Sequence, residues 1–90
     1  MHEHHLMNDL MRRIGRAAEA HGGERVVAVS VWLGALSHMT PGHFREHFEE
    51  AAAGTLAEGA RLEIETSDDI HDPAANDVLL KNVEVEVAEE

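Results

Sequence analysis

From Leu6 to Ala18 the apolar residues Leu6, Met7, Leu10, Met11, Ile14, Ala17 and Ala18 recur every three or four positions. That spacing predicts an amphipathic helix with Arg12, Arg13, Arg16 and Glu19 on its wet side. Gly22 and Gly23 supply its stop, with His21 as a C-terminal cap. Gly15 costs about 1 kcal/mol relative to Ala inside a helix, and a close helix-to-sheet contact would explain it. Arg25 to Leu33 is valine-rich with both alternating sets mostly apolar. This predicts a strand covered on both faces, or on one face by the fold and on the other by a partner.

Gly34 to Met39 is a connection. Thr40-Pro41 then reads as an N-cap followed by proline at the first helical position, opening a second helix to about Ala53. Its apolar stripe is Phe44, Phe48, Ala51 and Ala52, and Gly54 ends it. Arg61 to Thr66 alternates cleanly, with Leu62 and Ile64 inward and Glu63 and Glu65 outward. Asp68 to Asp77, which includes Pro73, is a loop. Leu79 to Val87 alternates again, with Val83, Val85 and Val87 opposite Asn82, Glu84 and Glu86. The order α-β-α-β-β predicts an α+β two-layer sandwich, a three-stranded sheet with two helices on one face. Ninety residues make a single domain over 1–90, too short for a second independent core.

Composition narrows the chemistry. The chain has no cysteine, which excludes disulfides, a thiol nucleophile and a thiolate zinc site, so no structural zinc is expected. No run approaches the roughly 18 apolar residues of a membrane span. The opening His-Glu segment does not read as a secretory signal, so a cytoplasmic location is the default. The net charge of −11 argues against nucleic acid as a partner, since phosphate binding needs a basic face. The acids are concentrated in the second half: residues 1 to 45 hold five Arg and four acids, and 46 to 90 hold one Arg, one Lys and fourteen acids. That half is either a solvated surface or a face that attracts cations or a basic partner.

Eight histidines are the compositional oddity. His2, His4 and His5 stand beside Glu3 at the amino terminus. Met1 is expected to stay, because a bulky second residue blocks its removal. A free amine, the next peptide nitrogens and an imidazole at position 2 can form fused chelate rings. Such nitrogen-rich, nearly planar coordination suits Ni(II) or Cu(II) better than Zn(II). The competing reading is an exposed terminus whose histidines bind nothing. His43 and His47 are four apart on the second helix, so their rings share one side and one ion could bridge them. That spacing alone is a weak signal, and surface histidines without a ligand role are the simpler reading. His38 and His71 lie in loops and could add ligands only where the fold gathers them. No serine sits in a G-x-S-x-G setting and no phosphate loop is present, so an enzyme is not expected.

In these features the chain resembles the HypA/HybF family of hydrogenase nickel-incorporation proteins. Met1-His2-Glu3 matches the family's start. Val31-Trp32-Leu33-Gly34-Ala35-Leu36-Ser37 is similar to its strand and Gly-Glu-Leu-Ser type turn. Pro41, Phe44 and Phe48 follow at the expected distance. Gly54 to Ile64 is similar to the segment leading into its second strand, and Leu80 to Glu86 to its closing strand. The resemblance implies a three-stranded sheet with two helices. It also implies nickel held by the Met1 amine, the backbone nitrogens of His2 and Glu3 and the His2 imidazole, with His4 or His5, and His38, nearby. The implied partners are a maturation GTPase and the large subunit of a nickel enzyme such as a [NiFe] hydrogenase. Three features depart from the pattern. Residues 67–77 form a short cysteine-free bridge where the family inserts a four-cysteine zinc module, Ala35 replaces a usual Glu, and His5 replaces a usual Ser.

Two functions of different class follow. A metal carrier would load Ni(II) at Met1, His2 and Glu3. A protein-interaction module would keep the fold without metal delivery, using the acidic face or a sheet edge. Valine-rich edge strands also leave room for a homodimer.

Overall fold

The computed structural model describes residues 2–87, with side chains from residue 5 onward. Five elements follow in order: α1 (His2–Ala20), β1 (Gly23–Leu33), α2 (Pro41–Ala52), β2 (Arg61–Thr66) and β3 (Val78–Val87). The sheet order is β2-β1-β3. β2 runs parallel to β1 and β3 runs antiparallel to it. This is the expected two-layer α+β arrangement.

One contiguous core joins the layers. Met7, Leu10, Ile14 and Ala18 from α1 and Phe44, Phe48 and Ala52 from α2 meet Val26, Val29, Val31 and Leu33 of β1 and Leu62 of β2. Phe44 is 0% and Phe48 2% exposed. Each side chain of this size contributes roughly 1.5–3 kcal/mol on burial. With two of the three aromatic residues here, the core depends heavily on this pair.

α2 begins as its sequence dictates. Thr40 is extended (φ −88°, ψ 154°), and its hydroxyl accepts from the backbone N–H of His43 at 3.2 Å. Pro41 follows where no N–H is needed. Gly22, at φ +67°, closes α1 in the left-handed conformation that a side chain would resist.

Four expectations need correction. α1 starts at His2, not Leu6, because its first turn is polar and gives no apolar periodicity to read. Gly15 makes no close contact, since an added Cβ there would meet nothing within 4 Å; nothing in the structure explains it. β1 has no second apolar layer over its outer face. Its pairing with β3 shifts register between Gly23 and Arg25, between Val26 and Ala28, and between Ser30 and Val31. These irregularities change the side-chain phase, so the second apolar set does not signal a second covering layer. Val87 lies at the end of the sheet and is 49% exposed, not packed inward with Val83 and Val85.

The face away from the helices is covered by charge. Ala28 pairs with Arg61 on one side and Glu84 on the other. The Arg61 guanidinium reaches Glu84 at 3.7 Å across it, which explains why this small residue is only 2% exposed. Arg61 also pairs with Glu63 at 3.0 Å and Lys81 with Glu65 at 2.7 Å, and the Ser30 hydroxyl donates to Glu63 at 3.3 Å.

Candidate metal centre

The candidate residues sit where α1 begins. Met1 lies outside the described residues, and of His2, Glu3 and His4 only the helical backbone is described. His5 is exposed on the first turn. The helical start matters because the first four N–H groups of a helix have no intrahelical acceptor. The peptide nitrogens of residues 2 and 3 are therefore not committed to the helix ladder.

Beside this turn lies a cleft of about 790 Å³, open to solvent, between α1, the loop after β1 and the start of β3. α1 contributes Leu6, Asp9 and Arg13. The loop contributes Ser37, His38 and Met39, and Asn76 to Leu79 close the far side. Asp9 pairs with Arg12 at 3.2 Å and Arg13 at 3.0 Å. His38 adopts φ +62°, uncommon for a residue with a side chain. The buried Ser37 hydroxyl has no hydrogen-bond partner among the described residues.

Topology gathers what the sequence scatters. The backbone N–H groups of Gly34 and Leu36 donate to the carbonyls of Asp77 (2.9 Å) and Ala75 (2.7 Å), and that of Ser67 to Leu33 (3.0 Å). These bonds lash the β1–α2 and β2–β3 loops together. Gly34 is required there, because a Cβ would overlap the Ala75 carbonyl. Asp69 and Asp72 accept from the N–H groups of His71 (2.9 Å) and Ala74 (2.8 Å), folding the cysteine-free bridge into tight turns. Leu6 lines the same cleft as these loops, and α2 leaves directly from them. Seven of the eight histidines (positions 2, 4, 5, 38, 43, 47 and 71) therefore belong to segments at one end of the sandwich. His21 follows the 19-residue α1, roughly 28 Å away along that helix.

Among the described residues no three His, Asp or Glu side chains converge on a preformed metal site. Two histidines do meet: the His43 and His47 rings stack with centroids 4.6 Å apart and planes at 26°. His38 and His71 stand in separate loops. No pattern in the sequence singles out Asp9, Arg13, Asn76 and Asp77 as cleft residues. For Asp9 and Arg13 the only signal was their four-residue spacing at the border of the apolar stripe.

Comparison with known proteins agrees with this architecture. Residues 1–71 match the family described as hydrogenase/urease nickel incorporation, metallochaperone, HypA. The hydrogenase maturation factor HypA of Picosynechococcus sp. is 38% identical over 66 residues, which cover 73% of this chain and 58% of that protein. The HypA protein of Geobacter sulfurreducens is 40% identical over 65 residues, 72% of this chain and 56% of its own length. The solution structure of the Ni metallochaperone HypA from Helicobacter pylori superposes with a TM-score of 0.78. At 16% identity, that alignment covers 96% of this chain and 98% of the other. The chain belongs to the HypA family of nickel-incorporation metallochaperones. It spans little more than half the length of the curated relatives it matches, and its sequence holds no cysteine with which to build a thiolate zinc module.

Proposed function

We propose that this chain is a nickel carrier, a single domain over residues 1–90 that binds Ni(II) at its amino terminus and passes it to a nickel enzyme such as a [NiFe] hydrogenase. The Met1 amine, the backbone nitrogens of His2 and Glu3 and the His2 imidazole supply the primary donors, with His4 or His5 at hand. The observation that carries this reading is the helical start at His2, taken with membership of the family. The peptide nitrogens needed as donors are those that a helix leaves without acceptors. Deprotonating them for a metal therefore breaks no helical hydrogen bond.

Five-membered chelate rings need the N–Cα–C–N torsion near planarity, whereas a helical residue holds it near about −42°. Nickel binding thus turns the first residues by a few tens of degrees and leaves the rest of α1 as a fixed mount. The buried Met7, Leu10 and Ile14 hold that mount against the sheet. The protein carries its ion and converts nothing, so it acts with partners: a maturation GTPase and the large subunit of the recipient enzyme. Its place of work in this reading is the cytoplasm; no helix among the described residues is long and apolar enough to cross a membrane. The family match favours the carrier over a metal-free interaction module.

Calorimetric titration of Ni(II) into tag-free protein beside His2→Ala tests the reading. One tight site per chain, lost in the variant, is expected. Weak binding that ignores His2 would overturn it.

A further inference from the structure

We propose that His43 and His47 form a second metal site on α2, weaker and faster-exchanging than the amino-terminal one and selective for ions with right-angled ligand geometry such as Ni(II) or Cu(II). The two residues are one helical turn apart, and each directly precedes a buried phenylalanine, Phe44 or Phe48. Those anchors, and the Thr40 cap under the His43 N–H, fix the two backbone positions before any ion arrives. His43 is exposed and His47 half-buried, so an ion reaches them from solvent.

The ring separation carries the argument. Two imidazoles bound at about 2.0–2.1 Å to one ion place their centroids ~4.5 Å apart at a right angle and ~5.2 Å apart at a tetrahedral angle. The observed 4.6 Å meets the first. Square-planar or octahedral ions use right-angled pairs, whereas Zn(II) prefers tetrahedral sets. The rings stack, so each must turn about χ2 for the two nitrogens to converge on one ion. That torsion is soft for histidine.

Two protein ligands leave the remaining positions to water, which makes the site labile. Neighbouring charge assists a cation: Glu46, Glu49 and Glu50 share α2, while Arg45 is turned away to donate to the Leu62 carbonyl at 3.3 Å. The site uses none of the proposed amino-terminal donors.

The test uses the full chain with the amino-terminal chelate disabled by a glycine placed before Met1 together with His2→Ala. NiCl2 is titrated while the histidine ring resonances are followed by NMR, and ZnCl2 is titrated in parallel. His43 and His47 should respond together at a stoichiometry of one, with nickel bound more tightly than an isolated imidazole binds it and zinc less favoured. His43→Gln or His47→Gln should weaken binding at least tenfold, while circular dichroism shows α2 intact, since glutamine is a good helix former. Equal affinity in the glutamine variants, or a response confined to His5, His38 or His71, would overturn the proposal. Absence of a tight site in the unmodified chain, with this weaker one present, would count against the amino-terminal carrier alone.

Discussion

The two faces of the sheet divide the labour of folding differently. The helix-covered face is apolar and closed: Val26, Val29, Val31, Leu33 and Leu62 lie under Ile14, Phe44 and Phe48. The open face carries Ala28, Ser30 and Trp32 flanked by Arg61, Glu63, Glu65 and Glu84, and is covered by ion pairs whose side chains are about half exposed. Burial on the first face holds the chain together. Screened surface pairs on the second are worth about 0–1 kcal/mol each. Neither face carries a histidine, because no strand contains one. The candidate ligands sit at the rim, on the two helices and in the loops between elements.

Substitutions should separate these roles. The largest effect belongs to Phe44→Ala on the closed face, which should cost about 3–5 kcal/mol in denaturant unfolding; a loss under 1 kcal/mol would show that the core does not rest on α2. At the rim, Gly34→Ala forces a methyl group into the Ala75 carbonyl and should cost about 1–3 kcal/mol. It should also loosen the lashed loops, seen as faster amide exchange at Leu36 and Asp77. Smallest is Arg61→Gln on the open face, expected to cost less than about 1 kcal/mol, with a difference that shrinks further in high salt. A salt-independent loss larger than that would mean that the bridge over Ala28 excludes water as a core contact does.

How far the chain could be read beforehand follows the same division. Arg61–Thr66 was legible because its alternation is unbroken, and the start of α2 because Thr40 and Pro41 each leave one structural choice. β1 misled because register shifts put its apolar residues out of simple alternation, and such shifts arise from pairing with β3, which no local window contains. The first turn of α1 was hidden by its polarity. Of the candidate site, the His43–His47 pair was readable, since spacing within one helix fixes which residues are neighbours. The histidine-rich end was not: it exists because β2 runs parallel to β1 and brings the 67–77 loop beside the 34–40 loop. Distances of that kind belong to topology, not to spacing.

The central claim, that the amino terminus itself chelates nickel, is tested most directly by acetylating the Met1 amine and leaving every native residue in place. The acetyl group keeps all eight histidines but removes the amine as a donor. Partners that merely orient a ligand are worth about 10–100-fold in affinity, so removing a ligand should weaken tight Ni(II) binding on the order of 100-fold or more. It should also abolish the absorption of planar nickel. Unchanged affinity and an unchanged spectrum would place the nickel on side chains alone and contradict the account.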